Sequence, residues 1–300
     1  MASDDRAKPA WDALARLEAV LARLDRVVVA FSGGADSSLV AAVATKLLST
    51  KQVLCATAVS ASLAPDDQAH CSALVAEWGL RWVAVSTHEL DNPAYVRNDL
   101  DRCYHCKLGL MDVLAPLAES EDATVVLGVN LDDLTDHRPG QRAAAERGAV
   151  FPLVEAGLDK TMVRRASLAL GLRTWDRPAA ACLASRVPHG TPVSFGILEQ
   201  VAKAESSLRQ LGFGALRVRH YGELARIELP LEDLERAIGT RDEIVEVVRD
   251  AGYRYVTLDL EGLRSGNLSR SAAAGAVAVA AASAVTSHAA TAAPPGEGRP

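Results

Sequence analysis

The sequence lacks the hydrophobic segments that would place a protein in a membrane. Before residue 270 no apolar run is long enough to span a bilayer, and residues 272–285 are mainly alanine, interrupted by glycine and serine. The charged segment at 1–25 has no apolar core followed by a cleavage site, so it does not read as a secretory signal. We therefore expect no membrane segment and a cytoplasmic protein.

Cysteine is also scarce, and the 38 acidic residues outnumber the 32 Lys and Arg residues. The five cysteines are an odd number, scattered except for one C-x-x-C pair, so disulfide stapling is not expected. A net charge of -6 and a pI near 5.7 argue against a surface built to grip long nucleic acid. The 49% hydrophobic content over 300 residues is ample for about two packed domains.

Short β-branched runs alternate with helical patterns in the first half of the chain. The runs are RVVVAF at 26–31, QVLCATAV at 52–59, RWVAVS at 81–86 and TVVLGV at 124–129. Helical spacing marks residues 11–24, 37–48 and 66–78. This alternation predicts an α/β fold with a parallel sheet and helices on both faces.

The pattern changes after residue 190. A helix at 194–211, strands at 215–220, 224–229 and 253–259, and helices within 231–251 predict a smaller α+β domain. We place the first domain at 1–180 and the second at 181–264. Residues 265–300 are rich in Ala, Ser, Thr and Pro without aromatics, which is typical of a disordered tail.

The segment FSGGADSS at 31–38 directly follows the first strand and opens a helix, the position where open α/β sheets bind ligands. Gly33 and Gly34 let the backbone approach an anion, and the amides near Ser37 and Ser38 point toward the helix start. These features predict a phosphate site.

The simpler alternative is a strand-to-helix turn in which Ser32 or Asp36 caps the helix. The motif is longer than a cap requires, and neither a Walker P-loop nor a G-x-G-x-x-G fingerprint is present. SGGADSS resembles the signature of the PP-loop ATP pyrophosphatases, which have an adenine nucleotide alpha hydrolase-like fold. The resemblance implies cleavage of ATP between its α and β phosphates, Mg²⁺ as cofactor, and Asp36 near the metal-bound pyrophosphate.

The acidic segment GVNLDDLTDHRPG at 128–140 follows the fourth strand and should lie at the same sheet edge. Beginning at Gly128, it offers Asp132, Asp133 and Asp136 to hold Mg²⁺ or orient a ribose, and Arg138 to neutralise a phosphate. A solvated acidic loop is the alternative.

RCYHCK at 102–107 contains the C-x-x-C pair, which suits zinc, an iron–sulfur cluster or redox chemistry. One pair supplies too few ligands, so Cys182 or His105 would have to complete a metal site. The alternative is a packing role for the cysteines, with Lys107 contacting phosphate.

RPAAACLASRVPHGTPV at 177–193 is too irregular for a helix interior and too rich in small residues for a core strand. It carries Cys182, Ser185 and Arg186 close together, a composition typical of a reactive loop. A thiolate is a nucleophile, and a neighbouring guanidinium such as Arg186 favours it. The alternative is that Cys182 is a small buried apolar residue.

These motifs, followed in order by VAKAE, LRVRHYGELARIEL and GYRYVTLDLEGLRSG, resemble the LarE family of ATP-dependent sacrificial sulfur transferases over about residues 10–268. The resemblance implies that the carboxylate of a pyridinium biscarboxylic acid mononucleotide is adenylated and then attacked by Cys182. Elimination would leave a thiocarboxylate on the product and dehydroalanine in the protein, within nickel-pincer nucleotide biosynthesis.

The resemblance also implies substrate-binding roles for Glu205, Arg217 and Arg219, and places Ser185 and Arg186 beside Cys182. Each has an alternative. Arg217 and Arg219 alternate along a predicted strand, so both project to one face. That face either binds the phosphate of a nucleotide monophosphate or is a solvated basic stripe. Glu205 is otherwise surface charge, and Glu228 either binds metal or is solvated beside Arg226.

Two rival functions stay open from the sequence. One is another PP-loop thiolase or amidotransferase-type synthetase, for example one that thiolates tRNA with sulfur carried by Cys103 and Cys106. The other is a non-catalytic ATP-binding regulator. For the main hypothesis we expect a small nucleotide substrate, no membrane or long nucleic acid partner, and self-association into a homo-oligomer.

Overall fold

A four-stranded parallel sheet organises the first half of the chain in the computed structural model, which describes residues 4–135, 139–177 and 181–264. Its strands are β1 (Val27–Ala30), β2 (Val53–Val59), β3 (Trp82–Ser86) and β4 (Thr124–Leu127), in the order β3-β2-β1-β4. Val27 pairs with Val53 on one side and Thr124 on the other. Strands β1, β2 and β4 are largely buried, as their short β-branched runs predict.

Helices cover both faces of this sheet. They are α1 (Asp4–Leu21), α2 (Ala35–Leu48), α3 (Pro65–Trp78), α4 (Pro93–Val96), α5 (Arg102–Ser120), α6 (Asp132–Thr135), α7 (Pro139–Glu146), α8 (Pro152–Glu155) and α9 (Lys160–Ala169). Alternate residues of β1 point to opposite faces: Val29 joins the core that includes Leu17 and Leu39, whereas Val28 joins the core with Met111. The predicted α/β architecture is confirmed.

A second sheet forms in the C-terminal region. Its strands are β5 (Arg217–Tyr221), β6 (Leu224–Glu228) and β7 (Tyr255–Leu258). The helices of this region are α10 (Phe195–Gln210), α11 (Leu234–Gly239) and α12 (Arg241–Asp250). Strands β5 and β6 are antiparallel, and β6 and β7 are parallel. The helices bury Leu208 and Val248 against Val218 and Ile227 of this sheet. This α+β region has its own core, as the change of pattern after residue 190 predicts.

A 3-10 turn at Leu183–Arg186 lies between the two sheets in the sequence and immediately follows Cys182. The segment contains no longer regular element, in agreement with its small-residue composition. The predicted tail at 265–300 lies outside the described residues. Among the helices that the structure describes, none is long and apolar enough to cross a membrane.

Candidate active site

The loop between β1 and α2 has a backbone that only glycine fits well. Gly33 has a φ of +67°, and a Cβ atom there would lie 3.0 Å from His70 and 3.1 Å from the Cys71 sulfur. Gly34 is the N-cap residue of α2, and no side chain caps this helix end. The alternative of a simple side-chain cap by Ser32 or Asp36 is therefore wrong, and the helix amides stay available to an anion.

Serine hydroxyls stabilise this loop from inside. The Ser37 hydroxyl accepts a hydrogen bond from the Ser32 amide at 3.2 Å and donates to the Gly34 carbonyl at 3.3 Å. The Ser38 hydroxyl is buried and has no hydrogen-bond partner among the described residues. A buried, unsatisfied hydroxyl in the first turn of a helix is suited to contact a bound phosphate.

Gly128, at the end of β4, brings a second backbone segment against the loop. A Cβ at this position would lie 2.6 Å from the Ser37 amide nitrogen and 2.8 Å from the Asp36 carbonyl carbon. No side chain can be accommodated at that distance without moving the backbone. The predicted site residues Gly128 and Ser37 are thus in direct apposition.

A cavity of about 200 Å³ opens beside this loop, at the carboxyl ends of β1, β2 and β4. Phe31, Ala56 and Leu127 contribute apolar walls, while Ser32 and Lys107 contribute polar groups. This is smaller than the roughly 300–1,000 Å³ typical of complete ligand pockets, so it suits part of a nucleotide. Its position matches the ligand site of open α/β sheets.

The Asp36 carboxylate is held by two partners that come from outside its loop. Its Oδ1 accepts a hydrogen bond from the Asn130 amide at 3.0 Å, and its Oδ2 forms an ion pair with the Lys160 ammonium. The Lys160 backbone amide donates to Asp132 at 2.9 Å. Asp133 accepts from the Asn130 backbone amide at 3.2 Å. The acidic segment and the phosphate loop therefore form one network.

Sequence reasoning missed Asn130 and Lys160. Asn130 lies inside the quoted acidic motif, where its amide side chain next to two aspartates was an available signal. Lys160 opens α9 and lies 124 positions from Asp36, so no local motif connects them. The predicted residues Arg138 and Asp136 lie outside the described residues.

Cys182 is half-buried and begins the 3-10 turn. Its carbonyl accepts hydrogen bonds from the Ser185 amide at 2.9 Å and from Arg186 at 3.2 Å. The side chain packs with Cys106 in an apolar cluster that contains Tyr95. Burial, then the neighbouring Cys182, raises the pKa of the Cys106 thiol to about 12. The alternative that Cys182 is a fully buried residue is therefore wrong.

Asn98 attaches this segment to the first half of the chain. Asn98 is fully buried with a φ of +58°, a left-handed conformation that asparagine tolerates better than most residues. Its side-chain amide donates to the carbonyls of Pro188 and Thr191, both at 2.8 Å. No local motif marks this role of Asn98, because its partners lie about 90 positions away.

Arg186 and Glu205 form a buried ion pair. The Arg186 Nε lies 2.8 Å from one Glu205 oxygen, and its Nη2 lies 3.1 Å from the other. The remaining amino group donates to the Ala181 carbonyl at 2.6 Å and contacts the Ser185 hydroxyl at 3.1 Å. Arg186 therefore holds the turn that follows Cys182.

Glu205 has further partners that fix it inside the protein. It accepts hydrogen bonds from the Val218 amide and from Arg209, both at 3.0 Å. Its side chain is fully buried, so the alternative that it is surface charge is wrong. This carboxylate links α10, β5 and the Cys182 turn.

The strand arginines lie on the face of β5 and β6 that also carries Glu228. Arg217 pairs in register with Glu228, and Arg219 with Arg226, so the four side chains share one face. Arg219 donates to the Ser185 carbonyl at 2.8 Å and to Glu228 at 2.9 Å. Arg219 is buried, so the solvated-stripe alternative is wrong for it.

This face carries excess positive charge. Burial, then the charges of Arg219 and Arg186, lowers the pKa of Arg217. The Arg219 Nε is buried and has no hydrogen-bond partner among the described residues. Converging guanidinium groups with an unused donor are suited to bind a phosphate or carboxylate.

The two predicted metal ligands lie in different surroundings. Asp36 belongs to the phosphate-loop network, whereas Glu228 contacts Arg219 and Arg226. Within the described ranges, no group of three or more His, Cys, Asp or Glu side chains is arranged to hold a metal ion. Cys103, Cys106 and Cys182 lie within these ranges and do not form such a group.

Comparison with known proteins adds a family and several relatives. The sequence model of the NAD synthase family matches residues 17–97. An uncharacterized protein of Synechocystis sp. is 45% identical over 86% of this chain and 97% of its own length. The pyridinium-3,5-bisthiocarboxylic acid mononucleotide synthase of Lactiplantibacillus plantarum is 36% identical over 85% of this chain and 92% of its own. An uncharacterized Methanocaldococcus jannaschii protein is 27% identical over 80% of this chain and 91% of its own.

Proposed function

Because the chain belongs to the LarE family, we propose that it is an ATP-dependent sulfur transferase that thiolates a pyridinium biscarboxylic acid mononucleotide with the sulfur of Cys182. The reaction would adenylate a substrate carboxylate and end with dehydroalanine at position 182. It belongs to nickel-pincer nucleotide biosynthesis. The protein would work in the cytoplasm on a small nucleotide.

The observation that carries this proposal is the position of the Cys182 turn between the loop after β2 and the arginine face of β5. On one side the Leu183 amide donates at 2.9 Å to the carbonyl of Ser62, whose neighbour Leu63 lines the cavity beside the phosphate loop. On the other side Arg219 donates to the Ser185 carbonyl at 2.8 Å. A thiol held between a nucleotide site and an arginine face can meet an activated substrate.

ATP would bind with its phosphates against the phosphate loop. Ser32, Gly33, Gly34, Ser37 and Ser38 would line the phosphates, and the cavity beside Phe31 would receive part of the nucleoside. Lys107 lines the same cavity and supplies a positive charge. We assign the adenylation step to this site.

Mg²⁺ fits the oxygen donors of this site. Asp36 and Asp133 are hard ligands of the type that Mg²⁺ prefers, and Asp36 already faces a cation in Lys160. Bound there, Mg²⁺ would neutralise pyrophosphate as it leaves. The role of Glu228 as a metal ligand stays a prediction; its carboxylate forms ion pairs with Arg219 and Arg226.

The proposed chemistry balances without a further reactant. The substrate carboxylate attacks the α-phosphorus of ATP, and pyrophosphate leaves. The Cys182 sulfur then attacks the acyl carbon and displaces AMP, giving a thioester. Loss of the Cys182 Cα proton and cleavage of its Cβ–S bond release the thiocarboxylate. Arg217 and Arg219 would hold the substrate phosphate, while Arg186, Ser185 and Glu205 fix the turn.

Peptide mass spectrometry tests this proposal. After reaction with ATP, Mg²⁺ and the substrate, the peptide containing residues 181–186 should have lost H₂S at Cys182, in proportion to product. Cys182→Ala should still release pyrophosphate but form no thiocarboxylate. Cys55→Ala, a buried thiol in β2, is the control and should keep one turnover. An intact Cys182 after several equivalents of product would overturn the sacrificial step.

That same outcome would favour a second candidate, a thiolase that turns over repeatedly with sulfur received from an external donor and uses Cys103 and Cys106 as sulfur carriers or cluster ligands. The observation behind it is that Cys106 and Cys182 pack in one cluster, while Cys103 is exposed at the start of α5. An iron–sulfur cluster on these residues stays a prediction. The domain limits at 180 and 264 also stay proposals.

A further inference from the structure

Lys160, the first residue of α9, forms an ion pair with Asp36 in the first turn of α2. Both side chains are mostly buried, with 25% of Lys160 and 18% of Asp36 exposed. The backbone of Lys160 is fixed as well. Its amide donates to Asp132 at 2.9 Å, and the preceding residue Asp159 caps α9 by accepting from the Met162 amide at 2.7 Å. The ion pair is therefore held by the fold on both sides.

The charge of the Asp36 carboxylate is already neutralised by its surroundings. Lys160 supplies a full positive charge, and the Asn130 amide donates to the other carboxylate oxygen at 3.0 Å. Asp36 also lies at the positive end of α2, whose start no side chain caps. A divalent cation that approached Asp36 alone would meet an ammonium group and a positive helix end.

The neighbouring carboxylates are engaged in holding the same network. Asp133 accepts from the Asn130 backbone amide at 3.2 Å, and Asp132 accepts from the Lys160 amide. Repulsion between an ammonium and a divalent cation that share one carboxylate is stronger in a partly buried site than in water. Additional negative charge is needed at this site before the cation binds well, and the phosphates of a nucleotide supply it.

We propose that Lys160 is an internal counter-ion that keeps a divalent cation away from Asp36 until nucleotide phosphates arrive. Phosphate oxygens then accept the ammonium, which frees the Asp36 carboxylate for the metal ion. Lysine suits this exchange, because its ammonium is a point charge on a flexible four-carbon stem. Metal and ATP then bind cooperatively, each raising the affinity for the other. The proposal rests on the nucleotide site of the proposed function and not on sulfur transfer.

Metal and nucleotide titrations of the substrate-free protein test this role of Lys160. Mn²⁺, which prefers the same oxygen ligands as Mg²⁺, is followed by electron paramagnetic resonance without nucleotide. Lys160→Gln should bind Mn²⁺ at least about fivefold more tightly, because it frees a carboxylate and removes a repelling charge. The same variant should bind ATP in EDTA at least about fivefold more weakly, because the phosphates lose a cation. A purely structural role would not move the two affinities in opposite directions.

Three control variants separate the local ion pair from the general charge of the site. Lys160→Arg keeps the positive charge, so its Mn²⁺ affinity should stay within about threefold of that of the original protein. Lys107→Gln removes a cation that lines the cavity and should weaken ATP binding, but should change the Mn²⁺ affinity by less than about twofold. Arg165→Gln removes an exposed cation from α9 and should change neither affinity.

Thermal unfolding shows whether each variant is folded. A folded Lys160→Gln that binds Mn²⁺ with the original affinity, or that loses affinity for both Mn²⁺ and ATP, would overturn the proposal. Failure of the proposed sulfur transfer gives a different result, because an intact Cys182 after product formation leaves these two affinities as predicted.

Carbodiimide coupling needs no variant and covers the case in which Lys160→Gln does not fold. This reagent joins a carboxylate to an amine that lies in contact with it, so an amide cross-link between Asp36 and Lys160 should form in the free protein and be found by peptide mass spectrometry. At constant ionic strength, millimolar Mg²⁺ without nucleotide should leave its yield within about twofold. Loss of the cross-link on addition of Mg²⁺ alone would contradict the proposal.

Discussion

Asp36 is the residue through which distant parts of the nucleotide site meet. One carboxylate oxygen binds Asn130 and the other binds Lys160, so a loop after β1, a loop after β4 and the start of α9 share one side chain. The ion pair is partly buried, which makes it stronger than an exposed pair. Lys160 thus supplies the positive charge that lies next to the Asp36 carboxylate.

Gly128 gives the sharpest residue-scale prediction. Gly128→Ala places a Cβ 2.6 Å from the Ser37 amide, and the backbone on both sides must shift. We expect a loss of about 1–3 kcal/mol in unfolding free energy and weaker ATP binding. Urea unfolding and nucleotide titration measure the two effects.

Gly196→Ala is the control for that substitution. Gly196 lies in α10 with open space around its Cα, so alanine should be neutral or stabilise the helix by up to about 1 kcal/mol. If the two variants have the same unfolding free energy and Gly128→Ala binds ATP with the affinity of the original protein, then β4 does not lie this close to the phosphate loop.

Whether a site residue could be predicted depended on how far its partners lie along the chain. Gly33, Asp36 and Cys182 stand in local motifs whose residue types announce their chemistry. Lys160 and Asn98 carry no such motif, because their acceptors lie 124 and 90 positions away. Contacts of that range are set by the tertiary fold rather than by neighbouring residues.

At the scale of elements, α10 is attached to the rest of the site through Glu205. The substitution Glu205→Ala leaves Arg186 buried without its carboxylate and removes the acceptor of the Val218 amide. We expect a loss of about 3–5 kcal/mol in unfolding free energy, as for other broken buried ion pairs. Chemical denaturation followed by circular dichroism measures it.

Glu199 supplies the comparison on the same helix. Glu199 is exposed, so Glu199→Ala should change stability by less than about 0.5 kcal/mol. Similar small losses for both variants would mean that Glu205 is not the link between α10, β5 and the Cys182 turn.

The elements themselves were largely predictable. The strand runs at 26–31 and 52–59 became β1 and β2 within one residue at each end, because short continuous apolar runs rich in β-branched residues are local properties of the sequence. The helix predicted at 194–211 became α10 with similar accuracy. The order of strands in the sheets and the charge pairing across β5 and β6 required the tertiary fold.

At the scale of the whole molecule, buried histidine makes stability depend on pH. Burial lowers the pKa of His220, whose ring nitrogen lies 3.2 Å from the Tyr253 hydroxyl. Below about pH 6.5 the unfolded chain binds a proton that the folded chain resists, so stability falls as the pH falls through that range. His220→Gln should reduce this loss between pH 7 and pH 5.

Urea unfolding at several pH values checks the histidine prediction. His88→Gln is the control, because His88 is exposed and should leave the pH slope unchanged. The relevant quantity is the difference in slope from the original protein, since carboxylates also titrate in this range. Equal slopes for His220→Gln and the original protein would contradict the assignment.

The strand order of the first sheet has a consequence for protein synthesis. Val27 of β1 must pair with Thr124 of β4, and a ribosome adding about 5–20 residues per second needs roughly 5–20 s to make the chain between them. During that interval β1 has one unpaired, strongly apolar edge, which is an aggregation hazard. A nascent chain that stalls before residue 124 therefore leaves this edge of β1 exposed. β1 is the strand that leads directly into the phosphate loop.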